Sequence, residues 1–440
     1  MHVGVIGVGH VGLVTAAAIA EMGHDVVAMD LDAAKIELLE GGKTPFHEPR
    51  LDELVATAAE AGRLRFTTRP ADAVRDAEVV FICVGRPSTP AGDTSLTAVE
   101  AVGREIASHA GAGVVIAEKS TVPPGTAERL RLTIAREQPG LAFSVIANPE
   151  FLREGQAVED SLTPDRIVVG AGDERGFLAM RALYRSLTER GVRLIETDVR
   201  TAELAKLASN AFLATKLSFA NALARVAEVT GADVVRIAQV MGADGRIGPH
   251  FLAAGLGFGG YRLPTDTQTL ERVAGRAGYD FALLNEVIRV NEEAVASVAA
   301  KVQEAVWNLE AKRIALLGLA FKPGTDDVRS APALVLARRF LAEGAVVVGH
   351  DPMASADAKA QLSELETVDD PYEAAAGAHC VVLCTDWPEY RTLDLRQLRE
   401  TVAYPILVDG RNIFDPDEAE AAGFTYLPVG RPSRGAAPPQ

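Results

Sequence analysis

Short apolar runs alternate with longer amphipathic stretches through the first 196 residues of the chain. The runs at 2–6, 25–29, 64–67, 78–84, 113–118 and 143–147 are rich in Val and Ile and bounded by Gly, Pro or Asp, the pattern of buried strands. The spacing between them leaves room for crossover helices. It predicts an α/β domain over 1–196 with a doubly wound parallel sheet, whose ligands gather at the C-terminal strand ends.

The period then changes. Residues 201–229 are apolar, rich in Ala and Leu, and lack Gly and Pro. They predict a long helix, a buried spine or a dimer contact, in a central helical domain over 197–300. Glu203, Lys206 and Asn210 fall on one face of it and need polar partners or a ligand. Gly255-Leu256-Gly257-Phe258-Gly259-Gly260-Tyr261-Arg262-Leu263-Pro264-Thr265-Asp266 reads as an active-site loop, because its glycines let something approach the backbone closely. Residues 267–303 are expected to be mostly helical. Strand patterns at 313–317, 345–349, 380–385 and 406–409 predict a second Rossmann-like α/β domain over 301–431, followed by a disordered tail at 432–440.

Composition narrows the function. The 440 residues are 48% hydrophobic and 24% charged, and acids outnumber bases 60 to 44, for a net charge of −16. Such acidity disfavours nucleic acid as a partner. There is no long apolar span and no leader ahead of the first strand, so a cytoplasmic location without membrane contact is expected. Cys83, Cys380 and Cys384 lie in apolar runs, as buried small hydrophobes would, and no His or Cys cluster joins them to suggest a metal.

The strongest chemical signal is Gly7-Val8-Gly9-His10-Val11-Gly12 between the first strand and an Ala-rich helix. Gly7, Gly9 and Gly12 in this setting are a dinucleotide fingerprint, with the helix N-terminus for the pyrophosphate. Asp30, at the end of the next strand, suits the ribose hydroxyls and would repel a 2′-phosphate, which favours NAD over NADP. Lys35 stands just beyond it. Three further turns follow strand ends: Val84-Gly85-Arg86-Pro87-Ser88, Lys119-Ser120-Thr121-Val122-Pro123-Pro124-Gly125-Thr126, and Asn148-Pro149-Glu150-Phe151-Leu152-Arg153-Glu154-Gly155. Lys322 and Arg329, after the strand at 313–317, are candidate phosphate cations. No second G-x-G-x-x-G accompanies them.

The collinear motifs GVGHVGL, KSTVPPGT, NPEFLREG, ELAKLASNAFLATKLSFAN, GRIG, GLGFGG, GLAFKPGTDDVR and DGRN resemble the UDP-glucose/GDP-mannose dehydrogenase family over nearly the whole chain. The resemblance implies two Rossmann-like domains joined by a long central helix, a homodimer through that helix, and oxidation of a UDP- or GDP-linked sugar at C6 with NAD. It implies cofactor contacts by Gly7, Gly9, Gly12, Asp30, Lys35, Val84, Gly85, Arg86 and Thr121. It gives Lys206, Asn210, Thr121 and Asp266 the ordering of water and stabilisation of the alkoxide. Glu150 and Glu154 would contact the sugar or assist hydrolysis. Phe151, Leu152, Arg246, Phe251, Gly257, Phe258, Gly259, Lys322 and Arg329 would hold the nucleotide sugar.

The chain departs from the family pattern G-F-G-G-S-C-x-P-K-D. Tyr261, Arg262 and Thr265 stand where that pattern has serine, the nucleophilic cysteine and lysine. Arg86 replaces a small threonine, and Ser330 a glutamate. The family uses its thiol for the second oxidation, through a thiohemiacetal and a thioester. A guanidinium cannot replace a thiolate as nucleophile. The expectation is therefore a two-electron oxidation or a redox epimerisation, with Arg262 as added positive charge and Tyr261 as a packing residue or proton carrier. The alternatives are a four-electron 6-dehydrogenase working through the aldehyde hydrate, and a non-catalytic nucleotide-sugar-binding homologue.

Overall fold

The computed structural model describes residues 1–85 and 95–435. The chain divides into two compact units, Met1–Ser209 and Asn210–Gln440.

The first unit holds one eight-stranded sheet: β1 (His2–Ile6), β2 (Asp25–Met29), β3 (Leu64–Thr67), β4 (Val79–Ile82), β5 (Val114–Glu118), β6 (Phe143–Ala147), β7 (Arg166–Gly170) and β8 (Arg193–Thr197), in the order β3-β2-β1-β4-β5-β6-β7-β8. Neighbours are parallel except β6 and β7, which meet antiparallel at Ala147 and Gly170. The order reverses between β1 and β4, which makes their C-terminal ends the ligand-binding crevice of a doubly wound sheet. β4 shows why these strands are apolar at every position. Val79 and Phe81 enter the core under helix His10–Glu21, while Val80 and Ile82 enter a second core on the opposite face.

The second unit holds a parallel sheet of β9 (Arg313–Leu317), β10 (Val346–His350), β11 (Glu366–Thr367), β12 (Cys380–Leu383), β13 (Ile406–Asp409) and β14 (Thr425–Pro428), in the order β11-β10-β9-β12-β13-β14. Its core also takes in Ala220, Ala224 and Ala227 of the long helix, and Val295, Val298, Ala299 and Val302 of helix Ala282–Val306. From Asn210 onward, the segment expected as a separate central domain thus shares the core of the second sheet.

Three local expectations change. The long helix spans Val199–Thr230, 32 residues, and crosses the boundary between the units. The glycine stretch is a loop only to Tyr261, because helix Arg262–Arg276 starts inside it. Pro264 falls in the first turn, where its missing N–H costs no bond, so Arg262 opens a helix and Asp266 sits in its second turn. The tail expected to be disordered is fixed at its start, where Arg434 pairs with Tyr426 as an antiparallel bridge. Residues 436–440 lie outside the described ones.

Candidate functional site

The three glycines of the first turn serve different ends. A Cβ on Gly7, whose φ is +95°, would meet the Cys83 carbonyl at 2.6 Å, and one on Gly12 would lie 1.8 Å from the Gly7 carbonyl. Both positions need glycine for the fold itself. Gly9 has an ordinary φ of −69° and nothing within 4 Å of where its Cβ would stand. It is the N-cap of helix His10–Glu21 and gives no side-chain cap hydrogen bond. That helix end carries positive dipole with open space before it, which fits a pyrophosphate. Asp30, just past β2, accepts from the Val8 amide at 2.9 Å and the Asp32 amide at 3.1 Å, and Lys35 Nζ lies 3.9 Å from its carboxylate. Val84 and exposed Gly85 follow β4, and Ser120 Oγ donates to the Val84 carbonyl at 3.0 Å. Arg86 lies outside the described residues.

The ends of β5 and β6 bring a second group together. Glu150 Oε2 accepts the Leu152 amide at 2.6 Å, and its Oε1 lies 3.5 Å from Lys206 Nζ on the long helix. Both side chains are nearly inaccessible, 2% for Lys206 and 3% for Glu150. The Phe151 ring lies under two cations, the Arg166 guanidinium at 3.7 Å and Lys206 Nζ at 5.2 Å. Burial holds Arg166 below the usual arginine range. Thr121 and Glu154 are buried, and Leu152 is half-buried. A buried ammonium and carboxylate at a strand end can hold a water, move a proton and stabilise an alkoxide.

Glu203, on the same helix, has another task. Its carboxylate accepts the Gly125 amide at 2.6 Å and the Ala127 amide at 2.9 Å, at the start of helix Thr126–Glu137. Burial pushes its carboxyl above the ordinary range. Glu203, Lys206 and Asn210, expected on one face and in need of polar partners, each find a separate one: the Gly125 and Ala127 amides, Glu150 and Asp266.

In the second unit Asn210 Nδ2 donates to Oδ2 of fully buried Asp266 at 2.6 Å. The glycine loop is held from three sides. Asn221 Oδ1 accepts the Gly255 amide at 2.9 Å. Asn291 exchanges two bonds with the Phe258 backbone, at 2.8 and 3.0 Å. Arg411 Nη1 donates to the Gly257 carbonyl at 3.2 Å. A Cβ on Gly257 would approach Asn291 Oδ1 to 2.9 Å, and one on Gly259 the Ser330 carbonyl to 2.3 Å. Ser330 itself has φ +49°. The Tyr261 ring lies 5.0 Å from the Arg329 guanidinium, which forks onto Asp327 at 2.6–2.9 Å. Arg262 and Lys322 are half-buried. Phe251 adopts φ +62°. Arg246 bonds to Asp244 at 2.6 Å, and its side chain is 90% exposed.

Asn221, Asn291 and Arg411 are site-building residues that the sequence reading did not single out. Asn221 had a signal, an amide in an Ala-rich helix three turns beyond Asn210. Arg411 stands in the DGRN motif, and Asn291 had no signal beyond its polarity. The turn after β9 differs from the one after β1. Asp351 takes five N–H donors there: the Leu319, Ala320, Met353 and Ala354 amides and the Trp387 indole, at 2.7–3.0 Å. All three cysteines are buried, and burial pushes the Cys83 and Cys384 thiols up to about 12 and Cys380 higher still. Among the described residues no cluster of His, Cys, Asp and Glu could hold a metal ion, and no helix is long and apolar enough to cross a membrane.

Comparison with known proteins covers nearly the whole chain. Residues 1–188 match the NAD binding domain of the UDP-glucose/GDP-mannose dehydrogenase family, 200–293 its central domain and 315–416 its UDP binding domain. The UDP-glucose 6-dehydrogenase of Rhizobium meliloti (strain 1021) is 42% identical over 98% of this chain and 100% of its own length. UDP-glucose 6-dehydrogenase YwqF of Bacillus subtilis (strain 168) is 41% identical over 98% of each. The solved structure of a UDP-glucose dehydrogenase from the hyperthermophilic archaeon Pyrobaculum islandicum has a TM-score of 0.90 and 38% identity, covering 98% of both chains. The chain belongs to the UDP-glucose/GDP-mannose dehydrogenase family and is an NAD-dependent oxidoreductase acting on the CH–OH group of a nucleotide sugar.

Proposed function

We propose that this enzyme removes two electrons from its nucleotide sugar and stops there, leaving an aldehyde or ketone, or returning the hydride to the opposite face to give an epimer. The observation that carries this reading is Arg262, which opens helix Arg262–Arg276 at the position where the family pattern has its nucleophilic cysteine. A guanidinium stays protonated and does not add to a carbonyl. The three cysteines are buried, with thiols held far from ionisation.

NAD, bound at the Gly7–Gly12 turn, supplies the hydride acceptor. Lys206, paired with Glu150, is assigned the substrate hydroxyl: it balances the alkoxide while a held water carries the proton off. Asn210, Asp266, Thr121, Glu154, Arg262 and Tyr261 are assigned to the same chemistry. Phe151, Leu152, Arg246, Phe251, Gly257, Phe258, Gly259, Lys322 and Arg329 are assigned to holding the nucleotide sugar. We also assign a homodimer to the exposed face of the long helix, where Phe212, Phe219 and Val226 recur at heptad spacing.

A second reading has its own support, since relatives at 41–42% identity are named UDP-glucose 6-dehydrogenase. In it the aldehyde hydrate gives up the second hydride and a uronate results, with no covalent intermediate. The experiment is incubation with NAD and a panel of UDP- and GDP-sugars, following NADH yield and product mass together. One NADH with a carbonyl product, or a mass-neutral isomer with none, supports the two-electron reading. Two NADH per carboxylate overturns it. Under the two-electron reading Arg262→Cys should gain carboxylate formation.

A further inference from the structure

Glu48 joins two segments that the functional assignments keep apart. Its side chain is completely buried. Oε2 faces His10 Nε2 at 2.7 Å and accepts the Gly155 amide at 2.7 Å, while Oε1 accepts the Ala157 amide at 2.7 Å. His10 is the fourth residue of the cofactor turn and the first of helix His10–Glu21. Gly155 closes the turn that presents Glu150, Phe151, Leu152 and Glu154, and Ala157 begins helix Ala157–Leu162. His10 and Glu48 are 38 residues apart in sequence, and Glu48 and Ala157 are 109 apart.

The ring chemistry makes the link specific. With a carboxylate against Nε2, the hydrogen sits on Nε2. Nδ1 is buried and has no hydrogen-bond partner. The imidazole is thus held by Glu48 on one side and by contact with the Phe46 ring, whose centroid is 5.0 Å away at an interplanar angle of 42°. A buried carboxylate with three short, charge-assisted bonds has little freedom to move one partner without moving the others.

We propose that Glu48 is a positioning residue that couples the cofactor turn to the 148–157 segment, so that NAD in the turn orders, through His10, the backbone that presents Glu150 and Glu154. The role given to that segment rests on the proposed function. The test uses neither sugar nor turnover, so its failure is separate from a failure of that reading.

The test is hydrogen exchange of the full-length protein with and without saturating NAD. In the parent, NAD should slow exchange at 155–157 by about fivefold or more, the lower end of ordinary coupling between sites, together with exchange across 7–12. In His10→Phe, which keeps the ring against Phe46 and deletes the donor, NAD should still protect 7–12, with the effect at 155–157 falling below about twofold. His10→Gln, which restores an N–H towards Glu48, should recover it. Glu48→Gln leaves the cofactor turn intact and should lose the protection as His10→Phe does. Full protection at 155–157 in both His10→Phe and Glu48→Gln, or none in the parent, overturns the proposal.

Discussion

Lys206 Nζ lies 3.5 Å from Glu150 Oε1, in a pocket where both side chains have lost almost all contact with water. An ion pair this deep is costly to break from one side, because the remaining charge stays buried. Lys206→Met should therefore destabilise the first unit by about 3–5 kcal/mol and lower kcat by about 10²–10⁴. Urea denaturation and steady-state NADH formation measure the two effects. Full turnover in Lys206→Met would remove Lys206 from the chemistry.

Gly9 and Gly12 should respond oppositely to the same substitution. Gly12→Ala forces a Cβ to within 1.8 Å of a backbone carbonyl. It should destabilise the fold as overpacking does, by at least about 1–3 kcal/mol. Gly9→Ala meets nothing within 4 Å. It should cost less than about 1 kcal/mol in stability, yet weaken NAD at least about tenfold by filling the phosphate approach. Thermal melts and NAD titration of the two variants check this pairing.

Glu203 sets a pH dependence with a definite sign. Burial raises its carboxyl above the ordinary 4.5, so the folded state holds its proton to a higher pH than the unfolded state does. In the window that opens at 4.5 and runs up to the folded value, the native chain binds more protons, and this group's contribution to stability falls as pH rises. Glu203→Gln removes that contribution. The parent's melting temperature should decline more steeply than the variant's through that window. Parallel curves would show that Glu203 does not titrate there.

The long helix offers a test of assembly. Phe212, Phe219 and Val226 are each more than half exposed. A paired Phe212→Glu and Phe219→Glu variant should halve the mass seen by light scattering and keep its circular dichroism, because neither ring is in the core. A parent already running as a monomer, or a variant of unchanged mass, would place the contact elsewhere.

The parent sheets were legible because their strands are covered on both faces, which makes apolar runs such as Val79–Ile82 continuous. Four strands were missed: β8 and β11 are edge strands, β8 with Arg193 and Glu196 exposed and β11 only two residues long, β14 is the other edge of the second sheet, and β7, though buried, was passed over between the segments read as strand and long helix. The turn at Gly7–Gly12 was legible from its setting between a strand and a helix, since its backbone admits only glycine at positions 7 and 12. The capping role of Glu203 was not. It depends on backbone amides 76 to 78 residues away, and helical periodicity says only that a carboxylate points inward. The start of a helix at Arg262 was hidden by the glycines before it and by Pro264 within its first turn.

The two sheets repeat one plan, and Asp351 shows how the plan has been divided. Its carboxylate already sits on the Leu319 and Ala320 amides, braced by Trp387. The corresponding turn of the first unit keeps open space before Gly9. Both turns thus carry a carboxylate of their own, but Asp30 takes the Val8 amide and leaves the approach to Gly9 open, whereas Asp351 covers the amides of both Leu319 and Ala320. Grafting a glycine fingerprint after β9 would not convert the second copy into a cofactor receptor, because an incoming phosphate would first have to evict a carboxylate that the chain cannot let diffuse away.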